Sequence, residues 1–176
     1  MKYKVLESTS ERLDSNALAE LLMRVDIVPP SLALAQAADE SGWGTSRFAE
    51  QGNSLFGQWA WGKGLKPTEQ RRSEFGDQRI AAFGSTALAA YAYALNLNTQ
   101  RAYVDLRLRR ADLRRQQLRI SGPVLAETLT HYSERGQAYV HDLDALMKKN
   151  QLHDVDDAYL RQMAVIHIVP AGPGPK

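Results

Sequence analysis

The chain has 176 residues, 44% of them hydrophobic and 24% charged, which fits one soluble globular domain long enough to bury a core. Its net charge of +2, with a sequence pI of about 8.9, is too mild to demand a nucleic-acid partner. The absence of cysteine excludes disulfides, thiolate catalysis and cysteine-ligated metals, and no apolar run approaches the about 18 residues of a membrane span, so no stable membrane insertion is expected.

Residues 1–13 read as a flexible lead-in. Asp14 or Ser15 is placed to cap a helix carrying Leu18, Leu21, Leu22 and Val25 at spacings of three and four. Pro29 and Pro30 pre-set the start of the next helix. That helix is apolar on nearly every face: Leu32, Ala33, Leu34, Ala35, Ala37 and Ala38 leave only Ser31 and Gln36 polar before Asp39, as in a helix at the centre of a fold. Gly42 and Gly44 break it, which puts Glu40 in its last turn. There the negative end of the helix dipole and partial burial both disfavour a carboxylate. Both raise the pKa, as a proton donor near neutral pH requires. The competing reading is a surface carboxylate paired with Arg47.

A short helix over about 45–51 leads into the aromatic loop Asn53-Ser-Leu-Phe-Gly-Gln-Trp59. Residues 60–84 change character, with glycines at 62, 64, 76 and 84 and Pro67. Two strand-like runs, 71–75 and 78–83, flank Gly76-Asp77, which reads as a β-hairpin or irregular lobe between helices. Ser85 or Thr86 caps a helix through Leu88, Tyr91, Ala92 and Leu95. Another helical pattern spans about 100–119. It holds seven arginines around Leu106, Leu108, Leu113 and Leu118, and the leucine spacing predicts an amphipathic helix with a solvated basic face. Ser121 and Pro123 start a helix reaching about Tyr132, and Gly136 opens one with Tyr139, Val140, Leu143, Leu146 and Met147. Residues 150–165 add a short helix, and 161–176 form a disordered tail.

The histidines at 131, 141, 153 and 167 make no ligand pattern, and Asp154-Val-Asp-Asp157 lacks the glycine and distal glutamate of a calcium loop. No metal and no cofactor are expected.

Two blocks carry a resemblance: Gln36-Ala-Ala-Asp-Glu-Ser-Gly-Trp-Gly-Thr-Ser-Arg-Phe48 and Gly52-Asn-Ser-Leu-Phe-Gly57. They resemble the signature of the peptidoglycan N-acetylglucosaminidases of glycoside hydrolase family 73. The similarity extends to the Bax-like branch through Asp26-Ile-Val-Pro-Pro-Ser-Leu-Ala-Leu-Ala35, Leu95-Asn-Leu-Asn-Thr-Gln-Arg-Ala-Tyr103 and Tyr132-Ser-Glu-Arg-Gly-Gln-Ala-Tyr-Val140. It covers about 14–160, the expected domain, with 60–84 as a β lobe. The resemblance implies an α+β, mostly α, lysozyme-like fold, with a cleft between a helical lobe and that β lobe. It also implies action outside the cytoplasm, in the periplasm or at the cell wall. The N-terminus has no apolar signal core, so the expectation is that an export signal has been removed.

Hydrolysis of a β-1,4 glycosidic bond needs a proton for the leaving oxygen and a second group to stabilise the oxocarbenium-like transition state or activate water. Glu40 is the acid. The second carboxylate should come from the lobe, with Glu69, Glu74 and Asp77 available. The family's second glutamate lies near the start of the hairpin and precedes an aromatic, which favours Glu74, followed by Phe75. Tyr132 matches a cleft-side tyrosine of the family. Trp59, Trp61 and Phe56 are candidate sugar platforms, Trp43 reads as core, and Asn53 ties the loop together. The expected activity is an endo-β-N-acetylglucosaminidase acting on peptidoglycan glycan strands as a monomer. A lytic transglycosylase and a catalytically dead wall-binding domain are the alternatives.

Overall fold

The computed structural model describes residues 2–5, 14–61, 63–66 and 78–158. Seven helices and a two-stranded sheet are placed among them: α1 Ser15–Arg24, α2 Pro30–Ser41, α3 Arg47–Gly52, β1 Trp59–Trp61, β2 Gln78–Ile80, α4 Thr86–Thr99, α5 Val104–Arg115, α6 Gly122–Ala126 and α7 Gln137–Lys149. The 3-10 turns Arg101–Tyr103 and Leu152–Asp157 join them. The architecture is α+β and mostly α, as the sequence implies.

Local chemistry sets the ends. The Asp14 carboxylate accepts from the Ala17 amide at 2.7 Å and caps α1. Pro30 occupies the first turn of α2, where its missing N–H costs nothing. Gly42 closes α2 at φ 57°, and Trp43 and Gly44 follow at φ 59° and 79°. Three consecutive left-handed residues turn the chain sharply. Ser46 and Ser85 cap α3 and α4 through the amides of Ala49 and Leu88.

The core gathers on α2. Leu32 and Ala35 are fully buried, packed with Leu97, Leu106, Leu125, Leu129, Leu143 and Met147. Small residues on α2 let its neighbours approach closely, and α6, α7 and the Leu152–Asp157 turn all lie against it. Asp156 in that turn accepts from the Ser31 amide at 2.8 Å, the Ser31 hydroxyl at 2.7 Å and the Gly122 amide at 2.9 Å. One carboxylate therefore fastens the N-termini of two helices.

β2 pairs antiparallel with β1, Trp59 opposite Ile80 and Trp61 opposite Gln78. The run 71–75, expected as the partner of 78–83, lies outside the described residues. The sheet is tied to the loop before it by the Ala81 amide to the Gln58 carbonyl and the Phe83 amide to the Gly52 carbonyl, both 2.8 Å. The Asn53 side chain adds a bond to the Phe83 carbonyl at 2.9 Å.

Three expectations need correction. Helix α6 stops at Ala126 rather than reaching Tyr132, because Thr128 takes the Leu125 carbonyl with both its amide and its hydroxyl. The chain then proceeds in i→i+3 turns to Tyr132. The basic face of α5 is not wholly solvated: Arg107 and Arg110 are buried. Arg107 donates to the carbonyls of Leu97 and Gln100, orphans at the C-terminus of α4. Trp43 is not core but 65% exposed, because the left-handed turn carries it outward. The leucine face of α1 is largely open, with Leu18, Leu22 and Val25 exposed.

Candidate active site

Helix α2 delivers Glu40 to its C-terminal end, where the loop 53–59 crosses over it. Gly57 supplies the left-handed turn of that loop at φ 57° and lies against Glu40, whose Oε2 would be in ordinary contact, 3.5 Å, with a Cβ there. A pocket of about 320 Å³ opens between loop and helix, lined by Glu40, Phe56, Gly57, Gln58, Trp59, Asn96, Tyr103 and Tyr132.

Glu40 is half-buried, and its carboxyl is held above the usual carboxylate range. Burial is the main cause, and the neighbouring Asp39 charge adds to it. A hydrogen bond with Tyr139 and the charge of Arg135 pull the other way without cancelling it. Arg135 is committed elsewhere, ion-paired to Asp39 and, at 2.8 Å, to Asp142. Arg47, the competing partner, instead donates to the Lys66 carbonyl at 2.5 Å. The surface ion-pair reading of Glu40 is therefore overturned.

Aromatic rings wall the pocket. Phe56 is 5% exposed, stacked on Tyr93 with centroids 4.0 Å apart; its ring belongs to the core as much as to the pocket wall. Tyr132 stacks on Tyr139 at 5.5 Å, packs against Tyr103 at 5.8 Å and donates a long hydrogen bond, 3.4 Å, to the Phe56 carbonyl. Burial pushes the phenols of Tyr93, Tyr132 and Tyr139 well up, and that of Tyr103 up as well. All four are neutral donors at any ordinary pH. Trp59 is half-exposed at the rim, and Trp61 is 74% exposed. Two residues apart on β1, they share one face of the strand. Asn53 does not line the pocket; it braces the loop from behind.

Gln58, Asn96 and Tyr103 line the pocket although the sequence did not single them out as site residues. Gln58 Nε2 donates to the Ala92 carbonyl at 3.3 Å, while its Oε1 is buried with no hydrogen-bond partner among the described residues. Its position directly before Trp59 was the available signal. Asn96 and Tyr103 sit in a block that carried the family resemblance without an obvious role. Glu69, Glu74 and Asp77 all lie outside the described residues.

Two other cavities are chemically different. One, about 360 Å³ between α1 and α5, holds Asp26 and Arg114, which are already paired with each other at 2.7 Å. The other, about 300 Å³, is apolar, lined by Leu34, Ala37, Trp43, Leu55, Leu146 and Leu152 among others. The Glu40 pocket alone among these combines a half-buried carboxyl of raised pKa with amide and phenol groups.

Residues 16–152 match the family model for glucosaminidase, described as mannosyl-glycoprotein endo-beta-N-acetylglucosaminidase. The chain belongs to the glucosaminidase family. This glucosaminidase domain is 36% identical over 153 residues to the protein bax of Escherichia coli (strain K12), an alignment covering 85% of the chain and 52% of that relative. The chain thus spans about half the length of the curated relative it matches. No solved structure matches it. The family is one of glycosidic-bond hydrolases, and Glu40 with its pocket lies inside the matched region.

Proposed function

We propose that this glucosaminidase domain is a peptidoglycan hydrolase, an endo-β-N-acetylglucosaminidase that cleaves β-1,4 bonds of the glycan strand with Glu40 as general acid. The observation that carries the reading is the raised pKa of a half-buried carboxyl opening onto a polar, aromatic-walled pocket. Such a group is still protonated where a free glutamate has ionised, and can give its proton to the departing glycosidic oxygen.

The rest of the pocket suits an N-acetylated sugar. Trp59, continued by Trp61, offers a flat apolar face for the C–H side of a pyranose ring. Asn96 and Tyr103 at the pocket wall add polar contacts. Tyr132, which lines the pocket, is the proposed partner of the N-acetyl group or the attacking water. Glu74 is the proposed second carboxylate, acting from the β lobe on the developing positive charge. The proposed setting is the periplasm or cell wall, with the domain working as a monomer on glycan strands.

Digestion of purified peptidoglycan, with borohydride reduction and mass spectrometry of the fragments, tests the reading. N-Acetylglucosamine at the new reducing ends is the expected product. Anhydro-muramyl ends resistant to reduction would reassign the domain as a lytic transglycosylase, whose substrate supplies its own C6 hydroxyl as nucleophile. Absence of cleavage across wall types and pH would leave a wall-binding domain.

A further inference from the structure

Tyr132 is the pocket residue with the least regular support. It lies on neither a helix nor a strand, but in the run of turns 127–136 between α6 and α7. Backbone bonds there join residues three apart: Thr128 to Leu125, Leu129 to Ala126, Tyr132 to Leu129 and Gly136 to Ser133. Such bonds shape the turns without fixing how the run lies on the rest of the fold. Leu129, 1% exposed, anchors its middle. Tyr132 itself has a long hydroxyl bond to the Phe56 carbonyl, 3.4 Å, and ring contacts with Tyr139 and Tyr103. Ring contacts of this kind tolerate sideways offset.

The exit from the run is no firmer. Gly136 opens α7 at φ 57° with no side chain capping the helix, and a Cβ there would meet nothing within 4 Å. The glycine permits the left-handed bend, with open space beside it.

Arg135 supplies the missing tie. Its Nη1 donates to Asp142 on α7 at 2.8 Å, and its Nη2 donates to Asp39 in the last turn of α2. The guanidinium also lies over the Tyr139 ring, 4.9 Å from its centre, and Tyr132 stacks on that same ring. One side chain, three residues beyond Tyr132, thus fastens the run to two helices. Its anchor on α2 is the residue next to Glu40. A guanidinium is a rigid planar fork that fixes the angle between its partners, which the point charge of a lysine does not.

We infer that Arg135 is a positioning residue: it clamps the turns carrying Tyr132 between Asp39 and Asp142, and so sets where Tyr132 stands across the pocket from Glu40. The inference rests on the reading of Tyr132 and Glu40 as working groups of the pocket. The Arg135 side chain is 45% exposed, and ion pairs so open contribute little to folding. The clamp therefore acts on geometry more than on stability.

Two measurements on the full chain test this. In the first, the tyrosines are replaced by fluorotyrosine, and Tyr132→Phe identifies the Tyr132 fluorine signal. That signal is expected to shift or broaden in Arg135→Met and also in Arg135→Lys, which keeps the charge and loses the fork. An unmoved signal in both variants overturns the inference. A change in Arg135→Met that is absent from Arg135→Lys overturns it too, because lost charge and not lost geometry is then responsible. Where a thermal melt shows Arg135→Met unfolded, Asp142→Asn, which frees the guanidinium from α7, takes its place.

In the second, kcat for glycan cleavage is taken at the plateau of each pH profile, because Arg135→Met also removes a charge that lowers the Glu40 pKa. Arg135→Met should lower kcat by up to about 10²-fold, the cost of misplacing a reacting group by about an ångström, with KM little changed. In a Tyr132→Phe background the same substitution should cost almost nothing further. Equal losses in both backgrounds would show that Arg135 acts on something other than Tyr132, and would overturn the inference. If Tyr132→Phe cleaves as well as the wild type, or the wild type cleaves no glycan, the reading of the pocket falls. The fluorine signal, which needs no substrate, still decides whether Arg135 places Tyr132.

Discussion

If Glu40 is the general acid proposed above, function and stability conflict at it. Its carboxyl is held above its ordinary value mainly by burial, so the folded chain binds that proton more tightly than the unfolded chain. The residue then costs no stability below the ordinary carboxylate range. It costs progressively more as pH rises through the raised folded value, after which the cost is constant. Glu40→Gln keeps the shape and removes both the charge and the transferable proton. The variant should lose peptidoglycan clearing by about 10²–10⁴-fold, the span of general-acid contributions. At neutral pH its melting temperature should equal or exceed that of the wild type, and the gap should close near pH 4. A variant with lowered stability and residual clearing within a few-fold of wild type would contradict both halves. Trp59 offers a second residue-scale test. Half-exposed at the pocket rim, it should on truncation to alanine weaken binding to insoluble glycan more than it lowers stability. A stability loss above about 3 kcal/mol, typical of a buried aromatic, would mark it as core instead.

At the scale of elements, the position of Glu40 depends on how α2 is held at its opposite end. Asp156 accepts three hydrogen bonds from Ser31 and Gly122, and Gly122 leaves no room for a side chain. A Cβ there would stand 2.0 Å from Ser31 Oγ and 2.7 Å from the Leu32 amide nitrogen. Gly122→Ala must therefore push α6 away from α2 and should cost about 1–3 kcal/mol in urea unfolding, the usual range for overpacking. Asp156→Ala orphans the same donors without adding bulk, and should cost about as much through lost hydrogen bonds. Little of this staple was legible in the sequence. Asp14, Pro30, Gly42, Ser85 and the apolar run of α2 announced their elements because caps, prolines and helical spacing act within a few residues. Asp156 and Ser31 are 125 positions apart, and nothing local connects them. The buried hydrogen bonds from Tyr93 to Gln36 and from Gln36 to Tyr139 escaped for the same reason: Gln36 read as one of the two polar interruptions of a greasy helix. The place of Glu40 in the last turn of α2 was legible because the glycine that ends the helix follows almost directly, whereas the burial that raises its pKa depends on segments packed over it from elsewhere.

For the whole molecule, the basic run on α5 decides how the helices lock together. Spacing alone showed leucines on one side and arginines on the rest, hence a solvated face. Burial of guanidinium groups depends on carbonyls contributed by distant segments, which periodicity does not encode. Arg110 is fully buried and gathers three parts of the chain. It donates to the carbonyls of Met23 and Ile27 at 2.8 and 2.5 Å, and to Asn98 Oδ1 at 2.7 Å. Its Nε stands 3.6 Å from Asp26 Oδ2. Burial lowers its pKa to about 10, still well above neutrality, so the charge persists in the folded chain. Arg114 pairs with the same aspartate at 2.7 Å, but its side chain is 56% exposed. The two arginines thus form a natural comparison on a shared partner. Arg114→Ala should cost under about 1 kcal/mol, since exposed ion pairs contribute little. Arg110→Ala strands the Met23 and Ile27 carbonyls and the buried Asn98 Oδ1 in addition to weakening the pair, and should cost about 3–5 kcal/mol. Burial raises the Asp26 pKa, but the bonds from Arg114 and the Ile27 amide and the charge of Arg110 outweigh it, so the net value falls below its ordinary 3.8. The stability Asp26 contributes is therefore present above that ordinary value and is lost as pH falls through the lowered one. Urea denaturation of the wild type and both variants at pH 7 and in the acid range measures the whole set. Equal losses for Arg110→Ala and Arg114→Ala would mean that the shared ion pair, and not the Arg110 bonds to the Met23 and Ile27 carbonyls and Asn98 Oδ1, holds α1, α4 and α5 together.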